Sequence, residues 1–322
     1  MSTSIEWCDE VWNPLVGCTR VSAGCENCYA IGVAARQMSP QHRGLTKVRP
    51  KGAKRPGPDW TGEVRTVPAK LAEPLRWRKP RRVFVNSMSD LFHAQVPFEY
   101  IAAVFGVMAA CPQHTFLVLT KRPERAREFF DWIVGVGSKG YVWQTMFVHA
   151  QEHVRIAELE GRMGSPWPWP LPNVQLGTSV EDQASADKRI PEVLACPAAL
   201  HWVSLEPLLD EVDLHLDING KAGPHLQWVV VGGELGPGAR PFHLDWARSV
   251  IEQCRESRVP VFVKQLGAMP RQPASAVEEG GLGTWTLKLA HRKGGDVYEW
   301  PADLQIRQLP GSLQSDLFQG EP

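Results

Sequence analysis

The feature that most constrains this chain is a set of short, near-continuous apolar runs, each closing on polar residues or glycine. Seven of them recur: Val11–Gly17, Val83–Asp90, Thr115–Arg122, Val174–Glu181, Leu200–Pro207, Trp228–Glu234 and Val259–Gln265. A strand with one wet face alternates apolar and polar side chains. A run that is apolar throughout suits a strand buried on both faces, as in a parallel sheet covered by helices. Helical patterns separate the runs at Phe98–Ala110, Pro123–Val134, Val180–Leu194 and Asp245–Ser257. The second opens on Pro-Glu and the fourth on Asp, both good helix starts. Strand–helix alternation repeated this often predicts an α/β fold: a partial or full βα (TIM-like) barrel of about six to seven parallel strands, or a doubly wound sheet.

The polar residues gather where the predicted strands end. They are Asn86, Ser87, Asp90, Thr120, Lys121, Arg122, Ser179, Glu181, Ser204, Glu206, Glu234, Lys264 and Gln265. In a βα barrel that rim carries the active site, whereas an open sheet uses a single crevice. A ring of polar ends favours the barrel, although any one of these residues could simply cap the helix that follows. Three stretches break the alternation: 37–80, rich in Pro, Gly and basic residues; 135–172; and the Gly/Pro-rich 266–322. The organisation expected is a βα-barrel domain over 1–267, with long loops at 37–80 and 135–172, and a C-terminal extension or small subdomain over 268–322.

Between the first run and the next lies a dense group of cysteines. Cys18, Cys25 and Cys28 fall within eleven residues, at spacing C-x6-C-x2-C, whereas Cys8, Cys111, Cys196 and Cys254 are scattered. Seven is an odd number and the spacing is irregular, so a disulfide framework is not expected. Three thiolates suit three irons of a [4Fe–4S] cluster and leave the fourth iron open. A structural zinc site needs a fourth ligand, with Cys8 or His42 as candidates and no second C-x-x-C to supply it. His149 and His153, four apart, could share a helix face and bind a metal, but they sit in an insertion where solvated side chains are the simpler reading. His93 and His114 stand alone, as structural histidines usually do.

Composition sets the class. The chain is 43% hydrophobic and 22% charged, with no apolar run long enough to span a bilayer. No signal-peptide pattern opens it, so a cytoplasmic protein without a membrane is expected. Formal net charge is zero, yet residues 1–130 hold 19 Lys/Arg against 11 Asp/Glu and residues 131–322 hold 16 against 24. The basic stretches Lys47–Arg55 and Arg76–Arg82, the second with Trp77 among its cations, suit a nucleic-acid backbone and a stacked base, or merely a solvated loop.

The stretch Glu6–Cys18, followed by Gly24-Cys25-Glu-Asn-Cys28-Tyr-Ala30, resembles the opening of a phage- and bacteria-borne three-Cys-motif family. That family is known as a domain of unknown function and is regarded as radical-S-adenosylmethionine-like. The likeness continues through Pro80–His93, Gln113–Arg125, Leu176–Glu181, Val203–Leu208, Val230–Pro241 and Phe262–Gln265. Cys8 stands where the family usually carries threonine, and the six-residue gap after Cys18 is wider than the C-x3-C-x2-C of radical enzymes at large. The resemblance implies a radical-S-adenosylmethionine-like barrel. Cys18, Cys25 and Cys28 would hold a [4Fe–4S] cluster and S-adenosyl-L-methionine would chelate its open iron. Asn86, Ser87, Asp90, Lys121, Arg122, Ser179 and Gln265 are the candidates for binding that cofactor or a substrate phosphate. Glu181, Glu206, Glu234 and Lys264 are the catalytic candidates, as proton carriers or ribose ligands. It also implies a three-Cys-motif partner protein and, from the phage association, chemistry on a nucleobase such as DNA modification. The competing expectation is a non-catalytic nucleic-acid-binding protein with a structural zinc or iron–sulfur site.

Overall fold

A computed structural model describes residues 5–50, 57–136, 141–159, 168–216, 225–236, 238–273 and 284–310. The chain divides into two compact units. One comprises Met1–Val21, Cys28–Thr178 and Ala195–Leu200; the other comprises Ser22–Asn27, Ser179–Leu194 and His201–Pro322.

The first unit is built on four parallel strands, β1 (Glu10–Trp12), β2 (Arg82–Val85), β3 (Thr115–Thr120) and β4 (Val174–Ser179). They lie side by side in chain order, with Glu10 opposite Val83, Val83 opposite Phe116 and Phe116 opposite Val174. Val83, Val85, Phe116, Val118 and Leu176 are buried, as expected of strands covered on both faces. The run Val11–Gly17 does not form one strand. It breaks after Trp12, because Pro14 has no N–H to offer a ladder, and Leu15–Val16 pairs instead with Arg65–Thr66 in a small antiparallel ribbon. Helix α1 (Tyr29–Ala35) follows the cysteines. Helix α2 (Phe98–Ala109) is buried on nearly all sides and lies between α3 (Pro123–Val136) and α4 (Val142–Gln151). A Cβ on Gly106 would run into the Met146 carbonyl oxygen and lie 3.0 Å from the Ala150 Cβ, so only glycine lets α2 and α4 come this near. The rings of Phe92, Phe105, Phe129 and Phe130 stack around α2 and α3. Each such ring, fully buried, contributes roughly 1.5–3 kcal/mol.

The second unit continues the pattern with β5 (Leu200–Leu205), β6 (Leu226–Gly232) and β7 (Val261–Gln265), again parallel and in chain order. Helix α5 (Gln183–Leu194) precedes β5 and α6 (Leu244–Glu256) precedes β7. Trp202 and Trp228 lie with their ring centres 5.2 Å apart, fully buried. Residues after 267 belong to this unit. Pro270–Pro273 pairs with Phe242–His243 and with Thr284–Thr286, while Trp300 and Leu304 are buried in the same apolar cluster as Val229 and Val261.

With seven parallel strands alternating with helices, the fold is α/β, of the partial βα-barrel class. The stretches 37–80 and 135–172 are not bare loops. The first carries the ribbon Thr46–Val48/Pro58–Trp60, and the second carries α4 and the short helix Ile156–Leu159. Among the described residues, no helix is long and apolar enough to cross a membrane.

Candidate functional site

The rim residues expected from the sequence do stand at the C-terminal ends of the strands, and the structure shows what each one touches. In the first unit the centre is Asp90, which is 5% exposed. Its carboxylate accepts hydrogen bonds from Thr120 Oγ1 at 2.7 Å, Lys121 N at 3.0 Å, Phe92 N at 3.0 Å and Arg122 Nη1 at 2.8 Å. Arg122 reaches onward, donating from Nη2 to the Thr19 carbonyl and hydroxyl, both at 2.9 Å, with Nη1 3.9 Å from Cys18 Sγ. Burial alone would lower the guanidinium pKa, but the charges of Asp90 and Cys18 outweigh it and raise it. His93 Nε2 meets the Thr19 hydroxyl at 2.8 Å. Burial, then Arg122, pushes His93 below its ordinary value, with Asp90 opposing, so this ring favours the neutral form. The residue that follows the first cysteine is therefore held by an arginine that a buried aspartate orients.

Asn86 follows β2 in the left-handed region, φ 63°, a conformation that asparagine tolerates better than most residues. It is 3% exposed, and neither atom of its amide has a partner. Ser87 donates to Asn13 Oδ1 at 3.2 Å, and its carbonyl accepts from the Tyr29 hydroxyl at 2.7 Å, which ties α1 to the end of β2.

In the second unit, two buried carboxylates grip the segment Ser22–Asn27 that carries Cys25. Glu181 is fully buried. It accepts from the Ser22 hydroxyl and from Gly24 N at 3.3 Å through one oxygen, and from Arg189 Nη1 at 2.6 Å through the other. Arg189 also donates to the Ser179 carbonyl at 2.7 Å. Glu234 accepts from Asn27 Nδ2 at 2.7 Å, from Arg240 N and Nε at 2.9 Å each, and from Arg240 Nη2. Arg240 Nη2 donates as well to the Ala23 carbonyl at 3.0 Å. Burial would push the Glu234 carboxyl up, but Arg240 and Asn27 outweigh it and hold it below the usual carboxylate range. Cys25 ends a single turn of tight helix, Ala23–Cys25, with its N–H on the Ser22 carbonyl at 3.0 Å. Glu206 and Lys264 pair at 2.6 Å and remain partly open to solvent. Gln265 donates to the Gly233 carbonyl at 2.6 Å and sits 3.4 Å from Glu206.

None of the seven cysteines is paired in a disulfide. Cys18 and Cys28 are half-buried in the first unit against the cluster around Ile31 and Leu45, and Cys25 is half-buried in the second. Among the described residues, no three His, Cys, Asp or Glu side chains are gathered as a metal ion would require. The pair His149 and His153 is not such a site. His149 Nδ1 faces Glu152 at 3.2 Å, whereas His153 lies beyond the end of α4 with its ring against Tyr100. In the basic stretches, Arg49 shares Asp59 with Arg20, Arg81 pairs with Glu10 and lies over the Trp77 ring, and Arg78 and Lys79 are exposed. Residues 51–56 lie outside the described residues. Sequence reasoning did not single out Thr19, Ser22, Asn27, Arg189 or Arg240. Only Arg189 left a usable signal: a cation among Ala186, Ile190 and Val193 on the buried side of α5.

A family model described as "Protein of unknown function (DUF5131)" matches residues 2–300. The chain belongs to that family. No curated protein and no solved structure matches it. The DUF5131 match spans all three cysteines and every rim residue named above.

Proposed function

We propose that this DUF5131 protein is a radical-S-adenosylmethionine-like enzyme in which Cys18, Cys25 and Cys28 hold a [4Fe–4S] cluster. One observation carries the reading: three cysteines fall within eleven residues, on a stretch that buried carboxylates and arginines fasten in each unit. Buried charges are expensive unless they are fully paired, and in each unit such a network holds its own part of this stretch. Soft thiolates suit iron–sulfur or zinc and do not suit hard cations. Arg122, 3.9 Å from Cys18 Sγ, adds positive charge that favours the thiolate form needed for ligation. Ligation by all three cysteines needs their side chains to turn toward a common point.

When bound, the cluster would supply an electron to S-adenosyl-L-methionine at an iron that no cysteine occupies. The chain's own groups do the rest. Glu181 and Glu234, with every oxygen engaged, position the loop. Asp90 orients Arg122. Asn86, Ser87, Lys121, Ser179 and Gln265 are the polar groups available to the cofactor. Glu206 and Lys264, partly exposed and paired, are the groups best placed to hold or move a proton. The substrate class proposed is a nucleobase, with the exposed Arg78 and Lys79 serving a nucleic-acid backbone and a cytoplasmic setting keeping the thiols reduced. A three-Cys-motif partner protein fits the same reading.

Anaerobic reconstitution with iron and sulfide tests it. A reduced-state EPR signal that changes when S-adenosyl-L-methionine is added, and that Cys25→Ala removes, is the expected result. Stoichiometric zinc with no cluster signal overturns it, in favour of a structural-metal nucleic-acid-binding protein.

A further inference from the structure

The second unit holds a cavity of about 430 Å³ that none of the rim residues line; its walls include Gly236, Gly267, Pro270, Leu287, Leu289 and Arg292, with His291 beside Arg292. That volume falls in the ~300–1,000 Å³ range of small-molecule sites. We propose that this cavity binds a mononucleotide, the base lying on the Leu287–Leu289–Pro270 wall and the phosphate on Arg292 and His291.

The cavity is shaped by backbone rather than by mobile side chains. Gly267 has φ +78°, and a Cβ there would lie 2.8 Å from the Glu234 carbonyl oxygen, so this wall admits no side chain. Backbone bonds hold the surrounding chain: Leu266 N to the Gly294 carbonyl at 2.9 Å, Ala268 N to the Glu234 carbonyl at 2.9 Å, and Leu287 N to the Pro270 carbonyl at 3.0 Å. The indole of Trp300 donates to the Gly294 carbonyl at 2.9 Å from the buried side. Leu287 and Leu289 are half-buried, backed by the core of the unit, and present apolar surface to the cavity.

The polar side is cationic. His291 Nδ1 accepts from Gly295 N at 2.9 Å, which places the neutral ring's proton on Nε2 and leaves that N–H as a donor. Arg292 is exposed, and Lys288 and Lys293 flank it in sequence. The Glu299 carboxylate accepts from the N–H groups of Ala290 and His291, both at 3.1 Å. Among the described residues, no carboxylate lines the cavity itself. An apolar wall opposite a guanidinium and an imidazole N–H selects a planar group that carries an anion. Arginine is the residue best suited to a phosphate.

The test is isothermal titration calorimetry of the full chain as purified, with adenosine 5′-monophosphate, adenosine and inorganic phosphate. It needs no cluster, so its outcome and that of the reconstitution experiment are separable. The nucleotide should bind saturably, and adenosine and phosphate each at least about tenfold more weakly. Arg292→Glu should weaken the nucleotide by at least about tenfold, while Arg127→Glu, an exposed cation in the other unit, should leave it unchanged. No saturation, phosphate binding as tightly as the nucleotide, or equal loss in both variants would each overturn the proposal.

Discussion

Replacing Glu234 by glutamine tests the loop-clamp directly. The carboxylate is 5% exposed and accepts from Asn27 and three times from Arg240, and Arg240 in turn reaches the Ala23 carbonyl. Breaking a buried ion pair from one side costs roughly 3–5 kcal/mol. Arg240 retains 22% exposure, so the lower end applies, about 3 kcal/mol. For a unit of about 150 residues that lowers the midpoint of thermal unfolding by about 6–12 °C. If the loss falls on the loop, the open population rises by about 10²-fold. Alkylation of Cys25, mapped by mass spectrometry, should then accelerate by a similar factor in native buffer. The effect should also depend on pH. The Glu234 pKa is depressed in the folded state, so its contribution is complete above the ordinary glutamate range and is lost as pH falls through the folded value. The gap between wild type and Glu234→Gln should therefore close in acid. A midpoint within 2 °C of wild type, together with an unchanged Cys25 rate, would refute the clamp.

Two further outcomes follow from geometry alone. Gly106→Ala places a methyl into the Met146 carbonyl and should destabilise the first unit by about 1–3 kcal/mol, read by urea unfolding. Cys254, fully buried in α6 with its thiol pushed up to about 12 by burial, should resist iodoacetamide at pH 8 in the native protein and react once it is unfolded; modification of the native thiol at the rate of Cys25 would contradict that burial.

The strands were legible because burial on both faces leaves an unmistakable apolar run. The ends of β3 and β4 needed no long-range knowledge, nor did the helix that Pro123-Glu124 opens. The short ribbons were not legible. Thr46–Val48 and Pro58–Trp60 lie in a Pro- and Gly-rich stretch, and their pairing depends on each other rather than on periodicity. The same holds for Pro270–Pro273, which finds Phe242–His243 across nearly thirty residues. The rim was legible as a set of positions but not as a set of roles. Glu181 and Glu234 read as rim carboxylates that could bind a ribose or an amine or move a proton. Their partners Ser22 and Asn27 lie 159 and 207 residues away, and no local pattern announces such a pairing.

Those separations carry a consequence for how the chain matures. Ser22–Asn27 is made early, yet it docks on residues near 181, 234 and 240, and contacts this distant in sequence form late. At about 5–20 residues per second, a ribosome needs roughly 10–40 s to span the gap. During that interval the segment that carries Cys25 is tethered but unfastened. The clasp by Glu234 and Arg240 therefore closes only after three quarters of the chain has been made, so Cys25 should be more reactive on the nascent chain than in the finished fold.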